Sequence, residues 1–496
     1  MKSSYNSNVV IRHFDRQAIA NVTLCIFVVI IACIFVSNDS FWIDEGNTAY
    51  KASRATLNAW FLAMHLVPGS DSQMPGYMLY IWAWEKVVPH SEFFLRLSNL
   101  PWMLVLAFAL RRFRFALLFA FTSPFILSYL SELRPYLMQL AGAALTVRGF
   151  SELDSKQSKA WITVLSGCLV MCLASLIGVV WSMGALIYVI AHTPRILRNS
   201  EFWKGIVFFT PAYTPLAAYY AWTLAGGKQA AMMGGGLLTS LGAASYELLG
   251  LAGLGPGKIE LRTHPGAVWD YAFFITPALL AISSLMLIGL IKHLKTTPRP
   301  KLVATTAGIA VPLIILLSLV VLKDFRLLGR HLVPLEILMI LLCGTGTSTA
   351  AFGIVRQFGP WYKRIGSLLP LLVIACGLAS GLSLRFAQRH RKDDYREAAR
   401  IARQAMTEGR PVIWIADRCT GYFYGLNEQH VGWQPWRQNM PVPILMGNEC
   451  VLLNKPDIYD SKASFAELLK THQFKPIAEL TAFTIFERNL IYPSLR

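Results

Sequence analysis

Long apolar runs constrain this chain more than any other feature of it. A bilayer core of about 30 Å is crossed by roughly 20 apolar helical residues. Runs of that kind recur near 19–37, 94–110, 115–130, 136–148, 161–178, 180–192, 205–223, 267–291, 302–321, 332–350 and 365–384. Several are short or contain Pro, so about eleven spans are expected. Of the 496 residues, 54% are hydrophobic and only 15% charged, against roughly a quarter charged in soluble domains. A conventional soluble enzyme is thereby excluded. Lys2, Arg12 and Arg16 ahead of the first run resemble the start of a secretory signal, but that run is long enough to stay in the membrane and the chain goes on spanning.

The net charge of +18 would suggest a nucleic-acid partner in a soluble chain. Its placement argues otherwise. Basic residues are retained in cytoplasmic loops. With the N-terminus inside, every short inner loop is basic: Arg111, Arg112 and Arg114; Arg148, Lys156 and Lys159; Arg195, Arg198 and Lys204; Lys292, Lys295, Arg299 and Lys301; Arg356, Lys363 and Arg364. The inner segments hold 19 of the 46 basic residues and only 4 of the 28 acidic ones, so most of the excess is a topology signal and no nucleic acid is implied.

The outer face then receives loop 38–93, the bend near 131–135, the Gly-rich loop 225–266, the turn 322–331 and everything after 385. The expected architecture is mainly α: a polytopic transmembrane bundle over 1–384, then a small extracytoplasmic α/β domain over 385–496. In that tail, helices are expected at 393–408 and 463–471, and strands at 411–415, 450–453 and 482–487. Six of the eight cysteines fall in spans. Cys419 and Cys450 lie in the outer tail, where they form either a disulfide or two separate thiols. No CxxC, HExxH or GxxxxGK[ST] pattern is present, so zinc and cytoplasmic ATP chemistry have no support.

Polar residues at a membrane face invite a functional reading, because an unpaired charge there is costly. Asp44 and Glu45 directly follow the first span. A carboxylate there either accepts a proton from a hydroxyl acceptor or caps a helix expected at 47–66. Asp71 either binds acceptor, sugar or metal, or opens an Asx-turn before Pro75. Glu92 and Arg96, spaced i, i+4, read as a structural pair. Arg134, Arg326 and Arg330 are permanent cations on the same side; each suits a phosphate, snorkels, or pairs with a local carboxylate such as Glu132 or Asp324. Carboxylates and arginines from separate loops thus converge on one face, which suits transfer from a phosphate-linked lipid donor. A transporter or flippase of lipid-linked glycans, or an oligosaccharide ligase or polymerase using a lipid diphosphate, fits the same face. Loop 225–266, with Gly234-Gly235-Gly236 and Gly253-x-Gly255-x-Gly257, reads as a mobile gate or a plain connector.

At these residues the chain resembles the membrane-embedded GT-C glycosyltransferases, in the branch of the lipid A aminoarabinose transferases, the protein O-mannosyltransferases and the RgtA/B/C/D-like enzymes. The resemblance rests on ordered motifs: Trp42-x-Asp44-Glu45, Asp71-x-Gln73-x-Pro75-x-Tyr77, Glu92 with Arg96, Glu132-x-Arg134-Pro135-Tyr136, Arg330-His331 ahead of Pro334, and the tail start Lys392-Asp393-Asp394-Tyr395. It implies a bacterial inner-membrane enzyme with a cytoplasmic N-terminus and a periplasmic tail. The donor would be a polyprenyl-phosphate sugar and the acceptor a lipid, glycan or protein. It implies Asp44 as base with Glu45 in support, Arg134 and Arg330 as phosphate contacts, Tyr136 and His331 lining the donor site, and Asp71, Gln73, Tyr77 and Glu132 in substrate binding. A divalent ion, if used, would fall to Asp44 or Asp71. Gln73 and Met74 stand where relatives often carry His and Pro, which removes one metal ligand.

Overall fold

The computed structural model describes residues 4–66, 70–155, 160–193, 198–225, 236–323, 325–352, 360–426, 433–436, 445, 447–460 and 464–488. The chain divides into two compact units. The first comprises Met1–Ser37, Pro68–Tyr80 and Arg96–His390; the second comprises Asn38–Val67, Ile81–Leu95 and Arg391–Arg496. The division thus falls at 390/391, and the second unit takes in most of the first outer loop as well as the tail.

The first unit is helical, and every apolar run in the sequence lies on helix. Among the described residues, six helices are long and apolar enough to cross a membrane: Ala18–Phe35, Glu92–Leu110, Pro265–Thr296, Arg299–Lys323, Val333–Ala350 and Leu368–Phe386. The other five expected spans are interrupted, shorter or less apolar. Run 115–130 is two helices, Arg114–Thr122 and Pro124–Leu130, because Ser123 is extended and caps the second through Ile126 N–H while Pro124 lacks a donor. Helices Ala160–Ala174 and Leu176–His192 are separated by extended Ser175, which caps Gly178 N–H. Ser200–Ala225 contains Pro211 and Pro215. Large apolar side chains such as Phe273, Leu322 and Phe208 are 82%, 76% and 72% exposed on these helices, a surface suited to lipid rather than water.

Without a hydrophobic force between helices in lipid, close backbone packing through small residues holds them together. Leu176–His192 and Arg299–Lys323 meet at Gly184 and Gly308. A Cβ on Gly184 would lie 2.3 Å from the Gly308 carbonyl oxygen, and one on Gly308 would lie 2.9 Å from the Gly184 oxygen. Gly184→Val should therefore force the pair apart and cost about 1–3 kcal/mol, read as a lower unfolding midpoint in detergent. An unchanged midpoint would reject this crossing.

In the second unit, the described residues of the tail form a five-stranded mixed sheet of order β2-β1-β3-β5-β4. Its strands are β1 Val412–Ile415, β2 Trp433–Pro435, β3 Cys450–Asn454, β4 Phe474–Glu479 and β5 Phe483–Arg488. β1 runs parallel to β2 and β3, while β5 runs antiparallel to β3 and β4. Helix Tyr395–Thr407 lays Ala398, Ala399, Ala402 and Ala405 on one sheet face, beside Trp414 and Phe483. Phe465 and Leu469 of helix Ser464–Thr471 cover Ile413, Ile415, Val451 and Leu453 on the other.

One expectation is corrected here. The single helix expected at 47–66 is two, Ile43–Ala52 and Leu57–Leu66, and it starts early enough that Asp44 and Glu45 lie inside its first turn; Trp42 holds the cap position. Cys419 and Cys450 are both buried and are not bonded to each other. Cys419 lies on helix Arg418–Phe423, which packs on Ile43–Ala52, whereas Cys450 opens β3 opposite Glu487. Burial, with Glu487 adding to it, pushes the Cys450 thiol up to about 12.

Candidate functional site

In the second unit, the two adjacent carboxylates have different surroundings. A helix N-terminus favours negative charge, and both lie in such a first turn. Glu45 is fully buried, and its Oε2 is 2.9 Å from Lys392 Nζ. Asp44 is half-buried, and its backbone oxygen accepts from Thr48 Oγ1 at 3.0 Å. Glu92 accepts from Arg396 Nη1 at 3.1 Å and from the Tyr424 hydroxyl at 3.0 Å. The outer-loop carboxylates and the start of the tail are thus cross-linked within this unit.

The first unit holds the remaining expected residues. Asp71, in the 3-10 turn Ser70–Gln73, receives Arg134 Nη1 on Oδ1 at 2.8 Å, and the two side chains are 2% and 3% exposed. Arg134 Nη2 donates to Ser70 Oγ at 3.3 Å. Arg134 therefore finds its carboxylate in Asp71, 63 positions away. The neighbouring Glu132 instead lies 3.8 Å from exposed Lys258. The bend is fixed by Asn99 Nδ2, which donates to the Tyr129, Leu130 and Glu132 carbonyls at 3.1, 3.3 and 2.6 Å. Tyr136 packs against Tyr129 with the rings tilted by 57° and their centroids 4.6 Å apart. The Ser72 and Gln73 carbonyls accept from the Tyr219 and Tyr220 hydroxyls at 2.9 and 3.4 Å, and Tyr77 is fully buried below.

Arg330 and His331 occupy a short turn, Gly329–His331, ahead of helix Val333–Phe352. His331 Nδ1 accepts the Leu328 N–H at 3.1 Å, its carbonyl accepts Trp181 Nε1–H at 2.9 Å, and its ring lies 4.7 Å from Phe325. Burial, reinforced by Arg330, pushes the imidazole down to about 3. It is therefore neutral at physiological pH, with the ring proton on Nε2 because Nδ1 is an acceptor. Between its ordinary value near 6.5 and about 3, the unfolded chain takes up a proton that the folded chain refuses, so stability falls as pH drops through that window. His331→Gln should flatten that part of a midpoint-against-pH curve. Any activity profile from pH 5 to 8 should be the same in the variant; an inflection lost there would contradict a neutral His331.

The sequence reading missed Glu247 and Lys258. Both belong to the segment read as a gate or connector, which is structured from Gly236 onward: helices Leu237–Leu248 and Lys258–Thr263 flank a tightly packed stretch. A Cβ on Gly253 or Gly257 would lie 2.0 or 2.1 Å from the carbonyl oxygen of Ser380 or Arg389. Those glycines therefore serve close packing. Gly234, Gly235, Asp324, Lys156, Lys159, Arg195 and Arg356 lie outside the described residues. Glu247 Oε2 accepts the Gly329 N–H at 2.8 Å. Burial holds its carboxyl above the usual range, while Lys258 and Arg330 oppose that shift and Glu132 adds to it. Glu132, Glu247, Lys258 and Arg330 thus form one electrostatic group in the first unit.

Among the described residues, no three His, Cys, Asp or Glu side chains gather as a metal site, and Asp71 already has one oxygen on a guanidinium.

The fold has solved counterparts. The crystal structure of ArnT from Cupriavidus metallidurans in the apo state matches with a TM-score of 0.52 at 12% identity, over 95% of this chain and 98% of that one. The cryo-EM structure of the arabinofuranosyltransferase AftD from Mycobacteria matches with a TM-score of 0.41 at 15% identity, over 79% of this chain and 29% of that one. No protein-family profile and no curated protein sequence matches the chain. The chain has the ArnT-like fold, a multi-pass helical membrane protein with a small C-terminal sheet.

Proposed function

We propose that this chain is a GT-C-type membrane glycosyltransferase that moves a sugar from a polyprenyl-phosphate donor to a lipid, glycan or protein acceptor. What supports the reading most is the ArnT-like fold along nearly the whole chain, on a sequence whose outer-loop motifs follow the order of such enzymes. Asp44 is the base: it takes the acceptor hydroxyl proton as the acceptor oxygen bonds to the anomeric carbon. The bond from that carbon to the phosphate oxygen breaks in the same step, and the electron pair leaves on the phosphate. Arg330, with Lys258 nearby in charge, stabilises the departing anion. Arg134 is engaged with Asp71, so its part is to hold the Ser70–Gln73 turn and the 131–135 bend together. Chemistry is on the periplasmic face, as the basic inner loops imply.

The test is purified protein in lipid vesicles with radiolabelled polyprenyl-phosphate sugars and a membrane-lipid extract as acceptor. Label is expected to pass from the donor to an acceptor. Donor lipids that cross the vesicle membrane unconsumed would replace this reading with a transporter. Protease added outside intact spheroplasts should cut the tail beyond residue 390; protection there would reverse the orientation.

A further inference from the structure

Glu247 sits at an electrostatically poor position for a carboxylate. It lies one residue from the end of helix Leu237–Leu248, where the helix dipole already places partial negative charge, and its nearest charged surroundings include Glu132. Two features offset this. Its Oε2 accepts the backbone N–H of Gly329 at 2.8 Å, and Lys258 and Arg330 stand near enough to favour its charged form. The approach is also sterically restricted: a Cβ on Gly329 would lie 2.8 Å from both Cβ and Oε2 of Glu247. A glycine is thus needed where this side chain meets the turn, immediately before Arg330.

Besides the backbone bonds from His331 N–H to the Leu328 carbonyl and from Leu332 N–H to the Gly329 carbonyl, three described side-chain hydrogen bonds hold the turn. Leu328 N–H to His331 Nδ1 is internal to it, and Trp181 Nε1–H grips its far end through the His331 carbonyl. Glu247 grips the near end, next to Arg330. We propose that Glu247 is a positioning residue for Arg330, fixing the guanidinium for the phosphate of the lipid-linked donor; this rests on the glycosyltransferase reading above. Glu247 acts through the Gly329 backbone, across 82 positions of sequence.

The full-length protein in nanodiscs allows two independent readouts. Hydrogen exchange at 325–332 reports the hold on the turn, and steady-state kinetics with a polyprenyl-phosphate sugar report its consequence. In Glu247→Ala, exchange at Gly329 should accelerate and donor KM should rise, each about tenfold for one lost charge-assisted hydrogen bond, with acceptor KM unchanged. Glu247→Gln keeps an oxygen acceptor and should restore both. Wild-type exchange at Gly329 in Glu247→Ala would overturn the proposal, as would a fall in apparent kcat with unchanged donor KM, the mark of a merely structural residue. If wild-type protein consumes no donor, the glycosyltransferase reading fails and the assignment to donor phosphate with it; the exchange readout still decides whether Glu247 holds the turn.

Discussion

Asp44→Asn should leave a folded protein whose transfer rate is lower by about a thousandfold, the loss expected when a general base is removed. The substitution preserves shape and leaves the Asp44 backbone contact to Thr48 in place, and the unfolding midpoint measured beside the rate separates lost chemistry from lost fold. The adjacent carboxylate should behave oppositely. Glu45 is fully buried against Lys392, and Glu45→Gln would strand an ammonium that is only 17% exposed, at a cost of about 3–5 kcal/mol. Its defect should appear first as lost folded protein. Measuring both variants for midpoint and single-turnover transfer separates base from support. Transfer by Asp44→Asn within tenfold of wild type would end the base assignment.

Legibility in the sequence followed the range of the interactions involved. Helices carried by long apolar runs were visible because each is decided locally by hydropathy and length; the break at Ser123 depends on a single side-chain cap, which run-reading smooths over, and the cap at Ser175 sets the next break ahead of the gap between runs 161–178 and 180–192. In the tail, β1, β3 and β5 showed as apolar segments, whereas β2 and β4 did not. β2 is three residues ending in Pro435. β4 is an edge strand, buried mainly at Phe474 and carrying Lys475 and Pro476 near a bulge, so it lacks an alternating signal. Partner choice was least visible. Glu92 meets Arg396 across 304 positions, Asp71 meets Arg134 across 63, and local spacing offered only neighbours such as Glu132. Glu247 was hidden in a glycine-rich stretch. The usable signal was its carboxylate near the C-terminus of a helix, a placement that calls for compensating cations from elsewhere.

The Asp71–Arg134 pair should show stability effects as large as those at Glu45. Both side chains are almost completely removed from solvent, so their charges are tolerated because each answers the other. Asp71→Asn or Arg134→Met alone should cost about 3–5 kcal/mol, because either removes the opposite charge that a buried group faces at 2.8 Å. The double variant should recover most of that loss, giving a coupling energy of roughly 2 kcal/mol or more. Additive losses in the cycle would mean that the two groups act separately, as a metal ligand or acceptor contact and a phosphate contact would. The double variant also tests function, since it restores the fold without restoring the charges. If Arg134 serves only to join the Ser70–Gln73 turn to the 131–135 bend, donor KM in the double variant should stay near wild type. If Arg134 instead binds the donor phosphate, KM should rise about tenfold or more even with stability recovered. Stability and donor affinity thus separate in one molecule, and the direction of that separation assigns the arginine.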